Sequence, residues 1–192
     1  MEPVSRSPRE AAPPRMGRLS SLPLFMDLHG RRVVVAGGGA GAAWKAELTA
    51  AAGATVDIYA ETIGDELARL LARGAEHGSL TLHPRRWTAE AFAPRPAFAL
   101  CEAADEAEAI AFRDAAHAAG VPVNVIDRPD HCDLRFGAIV NRSPVVVGIA
   151  TDGAAPILAQ AIRRRIETLL PPTLSAWGAL AARLRAAVTA RL

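Results

Sequence analysis

The stretch Arg31–Ala42, with the sequence RRVVVAGGGAGA, decides how the first half of this chain is predicted to fold. It begins with a short β-branched run bounded by glycines, which is typical of a buried parallel strand. The segment that follows, Ala42–Ala52, is rich in helix formers and stops at Gly53. Ala54–Ala60 then reads as a second strand, so that strand, glycine turn, helix and strand form one βαβ unit of about thirty residues.

The glycines of this stretch have the spacing of a dinucleotide site. Counted from Gly37, the residues up to Ala42 fit the pattern G-x-G-x-x-G/A. The first glycine makes a tight turn, the second lets the backbone approach a pyrophosphate, and the small last residue lets the helix pack on the sheet. The helix N-terminus then offers N–H groups to phosphates. Placed between a strand and a helix, the pattern predicts a dinucleotide site, and a turn that serves packing only is the alternative.

An acidic residue about 20 residues beyond the glycines often binds the ribose of NAD. Asp57 and Glu61 both qualify by distance. We favour Glu61, which lies just past the strand end, whereas Asp57 lies in mid-strand, where a charge more often lies at a solvated edge or forms a salt bridge. Either carboxylate disfavours NADP, because it repels the extra phosphate. The predicted cofactor-binding residues are Gly37, Gly38, Gly39, Ala40, Gly41, Glu61, Thr62 and Ala103.

The alternation of strands and helices continues to Pro129 and predicts a parallel sheet with helices on both faces. Beyond Pro129, a short link favours an antiparallel hairpin, and two helices follow. The fold class is therefore α/β, with a Rossmann-type parallel sheet, a small β segment and a C-terminal helical segment. The remaining predicted elements are helices at Asp65–Arg73, Ala104–Ala119, Ala155–Leu169 and Thr173–Leu192, strands at Leu80–His83, Ala97–Cys101, Val121–Ile126, Phe136–Val140 and Pro144–Ala150, and the hairpin link Asn141–Ser143.

Composition argues against several classes of partner. The 22 basic and 20 acidic residues give a formal net charge of +2, and no basic stripe with interleaved aromatic residues points to nucleic acid. No apolar run of about 18 residues points to a membrane span, and the first residues lack the apolar core of a signal peptide. Cys101 and Cys132 lie far apart without metal-ligand spacing, which favours reduced thiols in a cytoplasmic protein.

A series of motifs, in order along the chain, resembles one family. They are LPLFMDL at Leu22–Leu28, RRVVVAGGG with Lys45 and Ala46, NVID at Asn124–Asp127, then HCDLRFGAIVNRSP, GIATDGAAPILAQAIRRRIETLLP and the final helix. Over roughly residues 22–192 the chain resembles the precorrin-2 dehydrogenase/sirohydrochlorin ferrochelatase module of siroheme synthases. Several motifs in the right order are more specific than the glycine pattern alone.

The resemblance implies an activity, a cofactor and an assembly. Such modules use NAD to oxidise precorrin-2 to sirohydrochlorin and then insert ferrous iron to give siroheme. They form homodimers through the segment that follows the Rossmann domain. The expected domains are a disordered tail at 1–20, an NAD-binding Rossmann domain at 21–129, dimerisation strands at 130–152 and a helical domain at 153–192. No stop signal ends the last helix, so a truncation there and a methyltransferase domain after Leu192 both stay open.

Asp127 is the candidate catalytic residue, since the family's key aspartate in the N-V-x-D motif falls on it. It also follows a predicted parallel strand, and ligands of open α/β sheets bind at the carboxyl ends of the strands. A carboxylate there could take a proton while hydride leaves to NAD, and could accept pyrrole protons as a metal enters. The alternative is a turn or capping aspartate. Asp127 and His131 are the metal candidates, and a surface role is the alternative for His131.

The substrate implied by the resemblance carries many carboxylates, which predicts arginines near the cleft. Arg128, Arg135 and Arg142 are candidates, and Thr151 falls on the family's serine or threonine in the S-T/S-G-G segment. The predicted substrate-binding residues are Thr151, Arg128 and Arg142. The consecutive arginines 163–165 point in different directions on their helix, which favours a solvated face.

Three loops depart from the family pattern. Where the family has Thr-Asp or Thr-Asn near the cofactor, residues 102–105 read Glu-Ala-Ala-Asp, which removes a hydroxyl donor and adds a negative charge. Gly137 stands for a proline and loosens that turn, and Asp152 stands for a glycine. These changes leave two other functions open. One is a non-dehydrogenating homologue that acts as a chelatase or a tetrapyrrole or metal carrier, and the other is an NAD-sensing regulatory module.

Overall fold

The computed structural model describes residues 17–153 and 156–189. The chain divides into two compact units, of which one is residues 25–136 and the other combines residues 137–192 with residues 1–24. Most of the predicted tail, Ala155 at the start of a predicted helix, and residues 190–192 lie outside the described residues. None of the helices in the described ranges combines the length and the apolar character needed to span a bilayer.

The unit of residues 25–136 is a five-stranded parallel sheet in the order β3-β2-β1-β4-β5, with helices on both faces as predicted. Its strands are β1 (Arg32–Ala36), β2 (Thr55–Tyr59), β3 (Ser79–His83), β4 (Phe98–Cys101) and β5 (Val123–Val125), and its helices are α1 (Ala40–Ala51), α2 (Asp65–Arg73) and α3 (Glu106–Ala118). Short 3₁₀ helices lie at Ala89–Phe92 and Pro129–His131.

The central strand β1 is buried on both faces. Val33 and Val35 pack into the core beneath α1 and α2, whereas Val34 and Ala36 pack into the core beneath α3. A strand covered on both sides needs a continuous apolar run, because alternate side chains point to opposite faces. The run of valines therefore identifies the centre of the sheet.

Helix α3 and strand β5 both begin two residues later than predicted, for local reasons. Helix α3 begins at Glu106 rather than Ala104, because Asp105 is its N-cap and the Asp105 carboxylate accepts a hydrogen bond from the Glu108 N–H at 2.8 Å. Strand β5 begins at Val123 rather than Val121, because the Val121 N–H donates to the Ala116 carbonyl at the end of α3 instead of to a strand.

The first unit continues past residue 129, where the Rossmann domain was expected to end, to Phe136. The backbone N–H groups of Asp133 and Leu134 both donate to the Val123 carbonyl, at 2.9 and 3.3 Å. The Asp133 carboxylate accepts in return from the Val123 N–H at 2.9 Å. These bonds attach the segment after β5 to the sheet.

The other unit contains an antiparallel hairpin and two helices: β6 (Ala138–Arg142), β7 (Val145–Ile149), α4 (Pro156–Leu169) and α5 (Leu174–Thr189). The predicted link Asn141–Ser143 is shifted, since β6 runs to Arg142. The Asn141 side chain closes the turn by accepting from the Ser143 N–H and hydroxyl at 2.9 and 2.6 Å.

Gly137 lies where the backbone of the hairpin leaves little room for a side chain. A Cβ built on Gly137 would lie 2.1 Å from the carbonyl oxygen of Ile149. The backbone at the start of β6 therefore approaches the end of β7 so closely that a side chain does not fit there without a shift.

Candidate functional site

The glycine turn between β1 and α1 leaves no room for side chains. Gly37 has φ +120°, a conformation that L side chains rarely adopt. A Cβ on Gly38 would lie 2.0 Å from the carbonyl oxygen of Thr62. The Gly64 N–H also donates to the Gly38 carbonyl at 2.8 Å. The loop that carries Glu61 and Thr62 is thus packed directly against the turn.

Three neighbouring strands end at the same edge of the sheet. In the register, Ala36 pairs with Cys101 and Cys101 pairs with Val125, so β1, β4 and β5 stop side by side. The glycine turn follows β1, residues 102 and 103 follow β4, and Asp127 follows β5. The predicted cofactor and catalytic residues of this unit therefore share the edge at which ligands of parallel sheets bind.

The carboxylate of Glu102 is bound at the N-terminus of α1. Glu102 Oε2 accepts from the N–H groups of Gly39 at 2.8 Å and Ala42 at 3.4 Å, and Oε1 accepts from the Gly41 N–H at 3.2 Å. Helix α1 has no acidic residue in its first turn and no side-chain cap of its own. Glu102 therefore places its charge at the positive end of the helix dipole. The sequence indicated a negative charge near the cofactor, but not that this charge would bind the turn itself.

Asp57 is a salt-bridge partner, as its mid-strand position suggested. Its carboxylate pairs with Arg32 Nε at 2.5 Å and with His83 Nε2 at 2.9 Å. Burial raises the pKa of Asp57, but the hydrogen bonds of His83 and Arg32 outweigh burial and hold that pKa below its usual value. Because Asp57 forms these ion pairs, Glu61 is the better candidate of the two for binding a ribose. Glu61 is exposed in the loop that contacts Gly38, and its role stays a prediction.

Asp127 lies in the turn that follows β5, where the Arg128 N–H donates to the Val125 carbonyl at 3.2 Å. It is exposed and adopts φ +60°, a left-handed conformation that is uncommon for a residue other than glycine. Within residues 17–153 and 156–189 its carboxylate takes part in no hydrogen bond, and the 3₁₀ helix that follows has no side-chain cap. The described contacts therefore do not support a capping role, whereas the position of Asp127 agrees with the turn alternative, and its catalytic role stays a prediction.

Lys45 is a buried cation that the sequence interpretation missed. Lys45 is 7% exposed on the inner face of α1, and its Nζ lies 3.7 Å from the ring centroid of Phe136. Burial lowers the pKa of Lys45 from 10.5 to about 8, against the opposing effect of the Cys132 and Asp127 charges. The composition did single out Lys45, because it is the only lysine among the 22 lysines and arginines of the chain.

Replacing Lys45 by methionine should raise the free energy of unfolding at neutral pH. The folded chain releases the Lys45 proton near pH 8, while the unfolded chain keeps it to about 10.5. The cost of burying this charge is therefore present in full below pH 8 and disappears as the pH rises to 10.5. The gain from Lys45→Met should shrink over this window in denaturant unfolding at several pH values. Since native and variant chains share all other titrating groups, a gain that does not change with pH would contradict the assignment.

His131 is neither at the surface nor open to a metal in this arrangement. It is 8% exposed, so the surface alternative is wrong. Its Nδ1 lies 3.0 Å from Arg113 Nη1, which can only donate, and its Nε2 lies 2.6 Å from Glu106 Oε1. The proton of the neutral ring is therefore on Nε2, and both nitrogens are engaged. Among the described residues, no group of three or more His, Cys, Asp or Glu side chains is placed to hold a metal.

The predicted substrate-binding residues fall in different parts of the chain. Arg128 Nη1 pairs with Glu106 Oε2 at 2.5 Å, and the hydrogen bond of His131 together with the Arg128 charge lowers the pKa of Glu106. Arg142 belongs to the other unit, where its Nε donates to the Leu170 carbonyl at 2.8 Å. Thr151 follows β7 in that same unit. Their contacts to a substrate stay predictions.

Comparisons with known proteins agree with this fold. A family model described as "Putative NAD(P)-binding" matches residues 24–138. Siroheme synthases of Stutzerimonas stutzeri and Pseudomonas aeruginosa are 41% identical over 170 and 164 residues, which is 88% and 85% of this chain. That of Psychrobacter arcticus is 34% identical over 174 residues. The chain spans about a third of the length of these relatives, at 36%, 34% and 31%.

A solved structure described as SirC, precorrin-2 dehydrogenase, has the same fold. The TM-score is 0.72 at 21% sequence identity, and the match covers 86% of this chain and 79% of that chain. The predicted fold class and the resemblance to siroheme synthases are confirmed. The individual site residues stay predictions, which rest on the geometry described above.

Proposed function

Because the chain belongs to the NAD(P)-binding family whose model spans residues 24–138, we propose that it oxidises precorrin-2 to sirohydrochlorin with NAD. The glycine turn at the edge of the sheet carries this proposal. Its amides converge on an anion, and the Glu102 carboxylate that they hold is of the same charge as a phosphate. The residues therefore fit a pyrophosphate once Glu102 has moved.

The proposed roles of the residues follow from their positions. Residues Gly37, Gly38, Gly39, Ala40 and Gly41 hold the pyrophosphate, Glu61 binds the ribose, and Thr62 and Ala103 line the site. Bound NAD⁺ supplies the acceptor for the hydride. Asp127, at the neighbouring strand end, accepts the proton that leaves the substrate as the hydride departs, so that two electrons and two hydrogens are removed in total. Thr151, Arg128 and Arg142 are assigned to the carboxylates of the tetrapyrrole.

We propose iron insertion as a second step at the same carboxylate. Entry of ferrous iron into sirohydrochlorin releases two pyrrole protons. Asp127 is exposed and without a hydrogen-bond partner among the described residues, so it is able to accept one of them, and the other passes to solvent water. A metal contact by His131 requires Arg113 to leave the Nδ1 atom first. Asp127 is therefore the stronger of the two candidates for handing the iron to the ring.

One observation favours a second candidate function. With Glu102 in the phosphate position, a homologue that no longer dehydrogenates and acts as a chelatase or a tetrapyrrole or metal carrier is the main rival. The deciding experiment incubates the purified chain anaerobically with precorrin-2 and NAD and follows NADH absorbance. NADH formation above the rate without protein supports the dehydrogenase. Binding of sirohydrochlorin with no NADH would favour the rival, and NAD binding without tetrapyrrole binding would favour a regulatory sensor.

We propose that the chain forms a homodimer through the unit that contains β6, β7, α4 and α5. Large apolar side chains are exposed there, including Ile157 at 85%, Leu169 at 77% and Trp177 at 69%. Exposed apolar surface of this extent is typical of an interaction site. The proposed domains are an NAD-binding domain that extends to residue 136, dimerisation strands from residue 137 to residue 152 and a helical domain at 153–192.

Replacing Ile157 by glutamate should shift the chain from dimer to monomer in sedimentation equilibrium, because the dimer would bury the new charge. Ile110→Glu is the matched control. Ile110 is exposed on α3 in the other unit, and its replacement should leave the dimer intact. A native chain that is monomeric at all concentrations, or a dimer that survives Ile157→Glu, contradicts this assignment of the interface.

We place the protein in the cytoplasm. Cys101 and Cys132 are both free thiols, and burial raises the pKa of Cys101 to about 12. A thiol with such a pKa stays protonated and unreactive at neutral pH. Free thiols of this kind are typical of a reducing compartment.

A further inference from the structure

The Glu102 carboxylate and a dinucleotide phosphate would use the same donors. All three hydrogen bonds of the Glu102 carboxylate come from the start of α1, namely from the N-cap Gly39 and from Gly41 and Ala42. The carboxylate lies so close to the turn that a Cβ on Gly39 would be 2.6 Å from Oε2, and one on Gly41 would be 2.9 Å from Oε1. No space for a phosphate remains between Glu102 and these glycines.

We propose that Glu102 is an internal competitor for the cofactor, whose side chain occupies the phosphate subsite until NAD displaces it. This inference rests on the proposed function of the turn as an NAD site. Two like charges do not share one set of donors, because each repels the other and each amide has a single proton. The apparent association constant for NAD is therefore the intrinsic constant of the turn multiplied by the fraction of molecules in which Glu102 has left the amides.

The surroundings of Glu102 allow the side chain to leave without disturbing the sheet. The backbone of Glu102 is fixed, since its N–H donates to the Ala36 carbonyl at 2.8 Å. Gly37 approaches the start of the Glu102 side chain so closely that a Cβ on Gly37 would lie 2.8 Å from the Glu102 Cβ. Within the described residues, no lysine, arginine or histidine forms an ion pair with its carboxylate, and only the amides of the turn hold it. The proposed displacement therefore requires the side chain to break only these hydrogen bonds to the turn.

Titration of NAD into the native chain, Glu102→Gln and Glu102→Ala by calorimetry tests the competition. Glu102→Ala should tighten NAD binding by about tenfold or more, which corresponds to at least about 1.4 kcal/mol. Glu102→Gln should tighten it less, because the amide loses the charge but keeps the shape and one acceptor oxygen. Glu76→Ala and Glu76→Gln are the matched controls. Glu76 is exposed between α2 and β3, at the opposite edge of the sheet, and its replacement should not change NAD affinity.

A second probe separates this inference from the proposed function. Inorganic pyrophosphate is titrated into the native chain and Glu102→Ala, and the amide shifts of Gly39, Gly41 and Ala42 are followed by NMR. If Glu102→Ala binds pyrophosphate more tightly than the native chain, the competition is supported. If in addition neither protein binds NAD, only the assignment of NAD as the cofactor is wrong. The competition is overturned if the native chain and Glu102→Ala are both folded and bind NAD with the same affinity and pyrophosphate with the same affinity. It is also overturned if Glu102→Ala binds neither ligand.

Discussion

Replacement of Asp127 by asparagine should lower the rate of precorrin-2 oxidation by about 10²–10⁴-fold, the usual contribution of a positioned general base. The amide keeps the size of the carboxylate but does not take up a proton at neutral pH. Asparagine is also the best-matched residue for the backbone, because it tolerates the left-handed conformation with φ +60° that Asp127 adopts. The loss should therefore appear in the rate of NADH formation and not in the folding of the chain.

The affinity for NAD should stay unchanged in Asp127→Asn, since among the described residues Asp127 forms no hydrogen bond with the glycine turn, whose amides bind Glu102. Asp130→Asn is the control, because Asp130 is exposed in the same segment and has no ion pair with a described residue. Retention of the native oxidation rate in Asp127→Asn would exclude Asp127 as the base. Normal iron insertion by a variant that has lost oxidation would show that the two steps do not share it.

Replacement of Gly38 by alanine should both destabilise the first unit and weaken NAD binding more than about tenfold. The new Cβ would lie 2.0 Å from the Thr62 carbonyl oxygen and 3.2 Å from the Ile63 Cα. Both are backbone atoms, so the loop after β2 must move away from the turn. Overpacking of this kind costs about 1–3 kcal/mol, and the displaced loop carries the predicted ribose ligand Glu61.

The control for Gly38→Ala lies in the same loop. A Cβ on Gly64 would meet only ordinary contacts, at 3.5 Å from the Gly38 carbonyl oxygen and 3.8 Å from Glu66 Oε2. Gly64→Ala should therefore leave NAD binding close to native and cost roughly 0.5–1 kcal/mol as an N-cap change, because glycine is a better N-cap than alanine. Denaturant unfolding and calorimetric titration of both variants make the comparison. Equal NAD affinity of Gly38→Ala and the native chain would argue against a cofactor at this turn.

Sequence periodicity was sufficient to predict the elements of the first unit. The valines of β1 and the alanines of α1 sit in a fully buried strand and a closely packed helix, where size and polarity leave few alternatives. The errors are at boundaries. The start of β5 was placed two residues early, because the bond from the Val121 N–H to Ala116 depends on how α3 returns to the sheet. The hairpin link was displaced because Asn141 closes the turn with its side chain.

The partners of the site residues were harder to predict, because the fold brings them from distant parts of the chain. His131 is covered by Glu106 and Arg113, which belong to α3. Nothing in the loop sequence around His131 indicates these contacts. Glu102 was recognised as an unusual charge, yet its capture by the turn depends on β1 and β4 ending side by side. Lys45 was overlooked although it is the sole lysine.

The Glu102 carboxylate at the N-terminus of α1 also bears on the abundance of this protein in a cell when NAD is not bound. In a turn whose amides were left bare, folding would gain from the bound dinucleotide, and the abundance of the protein would follow the cofactor pool. With Glu102 in place, the helix is capped from within, and removal of that cap should cost about 0.5–2 kcal/mol. If Glu102 competes with NAD as proposed, we expect the protein without NAD to be more resistant to turnover and to bind NAD more weakly.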